Sequence, residues 1–306
     1  MLNYVLRRLA QAGLILLGVS FITFALLYVL PADPAVQIAG RSATPETVAS
    51  IRAQLGLDQP LLAQYWNYLS NLAQGDFGRS YLQKTEVSTL IQSRIGPSLS
   101  LMFFAILIEL IIGLSAGIYS AMRRGKLSDN VVMVSSFVAI SAPQFIISIF
   151  VLYIFAVKLG WFPIGGYGKP IHYVLPALTL GILGSGWYSR VMRSSMIDVL
   201  RQDYIGTARA KGAPISRIIR VHAFKNAVLP IIAMIGLDIG IFMGGIVVVE
   251  SVFGWPGIGQ LAWQAIQRVD IPIIMAVTLV SAIAIVIGNL IADLIAPFVD
   301  PRIRLK

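Results

Sequence analysis

The chain has 306 residues, of which 57% are hydrophobic and only 12% charged, with a mean hydropathy of +0.79 and a formal net charge of +10. Soluble domains carry roughly 25% charged residues, so an ordinary soluble protein is excluded. The basic residues gather at the ends of apolar blocks instead of forming one basic face, which points to membrane topology and away from nucleic acid. With no cysteine, disulfides, thiol nucleophiles and thiolate metal sites are excluded as well.

Arg7 and Arg8 precede an uncharged run from Leu9 to Ala32. That run is longer than the apolar region of a cleavable signal peptide, about 7–15 residues, so residues 1–30 are expected to form transmembrane helix 1 with its amino end inside. Residues 31–97 are a hydrophilic insertion in which five basic residues are matched by five acidic ones. Within it, the stretch from Thr44 or Glu46 to Leu55 is expected as a short helix stopped by Gly56, and Leu61–Ala73 as a second helix. A second span runs from about Pro97 to Met122 and stops at Arg123, Arg124 and Lys126. A third follows from Asn130 to Val157, with Ser141-Ala142-Pro143 inviting a local break. A Gly- and Pro-rich turn over 158–169 leads into a fourth, Ile171–Ser189.

Asp203 to Pro230 is a basic, amphipathic stretch. Tyr204–Lys211 is helix-compatible, Gly212 stops it, and Pro214 suits the first turn of a second helix. Ile215, Ile218, Ile219 and His222 are expected on one face of that second helix. A fifth span covers Asn226–Val249, the loop Glu250–Gly259 is rich in turn residues and aromatics, and a sixth span runs from Ile271 to about Ile295. The segments assigned to the inside carry 16 Lys/Arg and those assigned to the outside carry eight. The expected fold is therefore an all-α integral membrane protein with six transmembrane helices and both termini cytoplasmic. A helical insertion lies outside after span one, and a helix–turn–helix elbow lies inside between spans four and five. Residues 98–300 form the five-helix core, the loop 200–230 included, and 301–306 a cytoplasmic tail.

Asp238 sits at the middle of span five, where an unpaired Asp costs about 2.5–3.5 kcal/mol on insertion scales. It should therefore face a polar interior. Gly236, Gly240 and Gly244 form a small-residue stripe on another side of the same helix. Asp238, Phe242 and Glu250 are assigned to a translocation path, with a hydrogen bond to a neighbouring helix as the plainer alternative for Asp238. Glu109 shares its face with Gly113 and Gly117 and is expected to be a partnered structural carboxyl. His172 and His222 lack metal-ligand spacing and no metal is assigned. No phosphate-binding loop, nucleophile elbow or zinc-protease motif is present, so no catalytic residue is assigned and ATP would have to be bound by another polypeptide.

Asp203, Tyr204, Thr207-Ala208-Arg209-Ala210-Lys211-Gly212, then His222-Ala223, Asn226-Ala227 and Pro230, resemble the coupling loop of ABC importer permeases in its dipeptide/oligopeptide (and nickel/glutathione) version. The strings LGLDQP (55–60), GDFGRS (75–80) and ESVFGWPGIG (250–259) resemble that family too. The resemblance implies the first type of membrane subunit of a bacterial inner-membrane importer for di- or oligopeptides, or for nickel, glutathione or another small solute. It implies a second homologous permease subunit, two ATP-binding cassette subunits that hold ATP and Mg, and an extracytoplasmic binding protein. Tyr204, Thr207, Ala208, Arg209, Ala210, Lys211 and Gly212 would couple to the ATPase. Phe253, Trp255, Pro256, Asp76 and Phe77 would form an outer gate or meet the binding protein. An ion-gradient secondary transporter is the alternative from another class, and would need a charge relay that the spans do not offer. The basic elbow would otherwise simply rest on membrane lipid.

Overall fold

The computed structural model describes residues 2–29, 34–40, 43–54 and 56–299. The close of the first span at Pro31-Ala32-Asp33 and the tail 301–306 lie outside them. Helix α1 (Leu2–Val29) is followed by α2 (Pro34–Ala39), α3 (Pro45–Gln54) and α4 (Leu61–Ala73) of the insertion. An isolated antiparallel bridge joins Arg79 to Glu86. Helix α5 (Val87–Met122) then begins well before Pro97, which lies inside it. The helix thus starts at Val87, ahead of the residue where the second span was expected to begin. Pro97 removes one N–H from the helical ladder of α5, and its own carbonyl also accepts bonds from Ser100 Oγ at 2.8 Å and Trp255 Nε1 at 3.1 Å.

Helix α6 (Leu127–Ser141) and α7 (Gln144–Leu152, continued by a π-helical run over Tyr153–Lys158) meet at Ala142-Pro143 with a bend of 100°. Then come α8 (Pro170–Leu200), α9 (Asp203–Ala210), α10 (Ile215–Arg217), a π-helical run over Ile218–Ala223, α11 (Phe224–Ala227) and α12 (Leu229–Gly245). Helices α13 (Val247–Val252), α14 (Ile258–Arg268) and α15 (Ile271–Val299) complete the described chain. Among the described residues, three segments are single helices apolar enough to cross a membrane: Leu6–Ala25, Val87–Met122 and Ile271–Ile291. Counting each of the two bent pairs as one span gives up to five. Helix α8 is not among them, its apolar residues being diluted by His172, Pro176 and three glycines, although its 31 residues reach about 46 Å at 1.5 Å per residue.

Two glycine-lined interfaces hold the bundle. Helix α5 presses on α8 where a Cβ at Gly117 would stand 2.6 Å from the Ser189 carbonyl oxygen and 2.7 Å from Met192 Cβ, and one at Gly113 would stand 3.0 Å from the Ser185 carbonyl. Helix α12 meets α15 in the same way, with Gly240 against Ile285 and Gly288 facing the Gly236 carbonyl. Small residues let backbones approach this closely, and dispersion contacts then replace contacts to lipid. The surroundings of Gly244 fall outside what is described. At one end of the α5–α8 pair, the buried Asp129 of α6 takes two bonds of 2.7 Å from Arg193, one of 2.9 Å from the Gly125 N–H, and one from Ser120 Oγ. Arg193, read from the sequence only as a topology signal, thus ties α8 to the α5–α6 turn.

The interface predicts a contrast between two alanine substitutions. Gly117→Ala must drive α5 off the α8 backbone, costing about 1–3 kcal/mol, and should lower the thermal unfolding midpoint of the purified protein. Gly13→Ala in α1, where an added Cβ meets nothing within 4 Å, should leave it unchanged or raise it slightly.

Candidate functional site

The elbow is built from two arms and a glycine turn. Helix α9 ends where Gly212 takes a φ of +76°, a region costly for residues with a Cβ. Pro214 then caps α10. Tyr204 on the first arm accepts a 2.8 Å bond from Asn226 Nδ2 on the second, and Asn226 also donates to the His222 carbonyl. The two arms are thereby stitched together, a link the sequence did not show.

One side of the elbow is inside the protein. Ile205 and Ile218 are fully buried in a cluster with Ala121, Tyr188, Met192, Met196, Ala223, Ala227 and Ile231. The expected face of Ile215, Ile218, Ile219 and His222 is corrected: Ile215 is 48% exposed, and the buried line is Ile218, Ala223, Ala227, Ile231. The cause is the π-helical run over Ile218–Ala223, which inserts one extra residue per turn and so brings residues five apart onto one line. Ala208, three residues after Ile205, turns to the same inner side and packs against the cluster instead of facing outward. The remaining coupling residues, Tyr204, Thr207, Arg209, Ala210, Lys211 and Gly212, are all exposed. They form a small, basic, protruding surface.

Deeper in the bundle, Tyr188 of α8 donates a hydrogen bond to Asp238 Oδ2 on α12. Glu109 of α5 faces the same two residues and lies directly over Gly184, with one carboxyl oxygen buried and unpartnered. Asp238 is half-buried, and beside it Leu237 and Ile241 are exposed along the outer side of α12. Gly236 and Gly240 meet α15 while Asp238 meets α8, so the packing face and the carboxyl face are separate, as their offset around a helix requires.

Glu250 and Phe242, expected on a path, are both inside the protein. Phe242 is buried among Leu101, Leu180, Phe253 and Trp255. Glu250 is fully buried; it accepts Ser98 Oγ at 2.7 Å and the Gln260 N–H at 2.8 Å, while Ser98 Oγ accepts the Ile258 N–H at 2.8 Å. The first N–H groups of a helix have no partner within it. Glu250 and Ser98 supply those partners for α14 and fasten it to α5 and α13. Ser98 gave no signal in the sequence, because only the fold brings it to residue 250.

In the aromatic loop, Phe253 and Trp255 are both buried, and Trp255 stands edge-on to Tyr167 and Tyr173 with ring centroids at 4.9 and 4.6 Å. The turn 160–168 closes over this loop, Gly165 passing so near that a Cβ would lie 2.7 Å from the Phe253 carbonyl oxygen. Pro256 is partly covered, Phe77 packs beside Val87, Ile258 and Leu261, and Asp76 is exposed and accepts the Gly78 N–H. Asp270, unremarked in the sequence, is buried and takes Ser80 Oγ at 2.5 Å and the Tyr81 and Leu82 N–H groups, joining the insertion to the start of α15.

Comparison with known proteins places this geometry. Residues 113–305 match the family described as binding-protein-dependent transport system inner membrane component, and residues 1–102 match the N-terminal family of the same membrane components. The glutathione transport system permease protein GsiC of Escherichia coli strain K12 is 40% identical over 306 residues, covering all of both chains. GsiC from Shigella flexneri and Salmonella choleraesuis align to the same extent at the same identity. Among solved structures, a chain of the MetNI methionine ABC transporter in an inward-facing conformation superposes with a TM-score of 0.59 at 18% identity, over 69% of this chain and 96% of that one.

Proposed function

Because the chain belongs to the family of inner membrane components of binding-protein-dependent transport systems, we propose that it forms half of the translocation path of an ATP-driven importer and that its elbow is the part moved by the ATPase. It is a permease subunit of an ABC importer in the bacterial inner membrane, and ATPase and substrate-binding subunits are its partners. In the proposed assembly it pairs with a second homologous permease, two ATP-binding cassette subunits bind ATP and Mg, and this chain binds neither. Six spans with both termini inside complete that reading, α8 serving as the fourth. The 40% identity to glutathione permeases supports glutathione or a small peptide of that kind as cargo.

The observation that carries the coupling role is the two-sided elbow. Its basic outer surface, Tyr204 to Gly212, is free, while Ile205 and Ile218 are locked into the cluster containing Met192 and Met196 of α8 and Ile231 of α12. A push on the outside therefore reaches two spans at once. Between elbow and α12 the chain bends by 49° near Val228, where Pro230 has no N–H to continue the helical ladder. Movement of α8 against α12 in turn strains the Tyr188–Asp238 bond. Asp238 then becomes a carboxyl available to a substrate amino group.

Two outcomes are expected from the transporter purified with its ATPase subunits and reconstituted with its binding protein. Glutathione-loaded binding protein should stimulate ATP hydrolysis; Gly212→Val, forced into a φ costly by about 1–2 kcal/mol, should leave hydrolysis running while uptake falls and membrane levels stay normal. Wild-type coupling in that variant would remove the elbow from the mechanism. Asp238→Asn, losing one charge-assisted bond of about 1.5–3 kcal/mol, should reduce uptake by about tenfold or more. Unchanged uptake would leave Asp238 a purely structural partner of Tyr188.

A further inference from the structure

We propose that α4 of the insertion lies in the outer leaflet of the bilayer, with Leu62, Trp66, Leu69 and Ala73 facing lipid acyl chains. It rests on the reading above that α1 crosses the membrane. Helix α4 carries no charged residue in its 13 positions. Its residues divide into three faces. Tyr65 and Tyr68 pack against Phe24 of α1 and join the cluster with Ile271 and Met275 of α15. Asn67 and Asn71 form a polar side, on which Asn67 Nδ2 bonds to Gln59 Oε1 and Gln64 Nε2 bonds to the Gln59 carbonyl. Leu62, Trp66, Leu69 and Ala73, at spacings of four, three and four, form a third, apolar face. Leu62 is 79% exposed and Trp66 is 72% exposed.

Depth decides what covers that face. Helix α1 runs to Val29, and its sequence stays uncharged to Ala32. Tyr65 Oη shares a hydrogen bond of 2.9 Å with Ser20 Oγ and lies 3.3 Å from the Leu17 carbonyl oxygen. At 1.5 Å per residue those positions are about 14 and 18 Å before the end of that helix, within its apolar stretch. A helix tethered there cannot stand in bulk water above the membrane. Amphipathic helices of the interface bury their apolar face about 5–10 Å into the headgroup and acyl boundary, and a helix whose tyrosine reaches this far down α1 lies at that level or below it. The face is also continuous with lipid-facing residues of α1: Phe21, 52% exposed, meets the Tyr65 ring edge-on at 5.5 Å. Trp66 then occupies the interfacial level that tryptophan favours. The second half of the insertion is thus membrane-supported, and only its polar side and the Gly75–Thr85 turns rise toward an external partner.

The absence of cysteine makes the test direct. Single substitutions Leu62→Cys, Trp66→Cys, Asn71→Cys and, as a span reference, Leu14→Cys carry a nitroxide in the complete transporter, its partners made cysteine-free, in lipid nanodiscs. Each variant is first checked for ATPase activity. Collision rates with oxygen and with a water-soluble nickel chelate are compared. Oxygen should dominate several-fold at 62 and 66, as at 14, and the chelate at 71. Chelate dominance at 62 and 66 with oxygen dominance at 14 would overturn the placement of α4 while leaving the span intact. Chelate access at 14 would show that the span reading itself is wrong. Loss of both collision rates at 62 and 66 only when the binding protein is added would make the face a protein-docking surface and overturn the proposal.

Discussion

Helices α5 and α8 run so close together that one added methyl group at Gly113 or Gly117 would collide with the opposing backbone. Nearly every other feature refers to that contact. Glu109 can lie flat over α8 only because Gly184 has no side chain, and Asp129 with Arg193 fixes the pair at one end. The opposite end of α5 carries Ser98 and the Pro97 carbonyl, which hold α14 and Trp255. A rigid pair of this kind has the stiffness to pass a displacement at one membrane face to the other.

The elbow is attached to this rigid pair through apolar contacts, whereas Asp238 is attached through a hydrogen bond. The difference matters for a transporter. Interdigitated side chains such as Ile205, Met192 and Met196 resist separation along their whole surface, so the elbow and α8 move together. In the proposed mechanism the single bond from Tyr188 to Asp238 is exchanged for one to a substrate, and the new bond offsets the one lost. Stiff coupling at the elbow and an exchangeable polar contact in the bundle together serve alternating access in that proposed mechanism.

Local chemistry made some of this legible in the sequence. Gly212 and Pro214 punctuate the elbow, Pro143 separates α6 from α7, and α4 has the expected bounds, Leu61–Ala73. What escaped depends on distant partners. Pro97 has the look of a helix start, but α5 runs through it from Val87, and Trp255, remote in sequence, bonds to its carbonyl. The π-helical run over Ile218–Ala223 shifts the buried register by one residue, and a regular 3.6-residue period carries no sign of it. The burial of Phe253 and Trp255 depends on the turn 160–168 and on Tyr173, which are remote in sequence. Asp129, Asp270 and Ser98 are short polar residues without a motif, and their roles come entirely from the groups folded against them.

The most direct test of the central claim is a photo-cross-link from the elbow's free surface. A benzophenone attached to Arg209→Cys, in a chain with no other cysteine, is activated in the assembled transporter. The account predicts an adduct between this chain and an ATPase subunit, with a yield that changes when ATP is bound. Cross-linking to lipid alone, while the ATPase subunits remain in the complex, would contradict it.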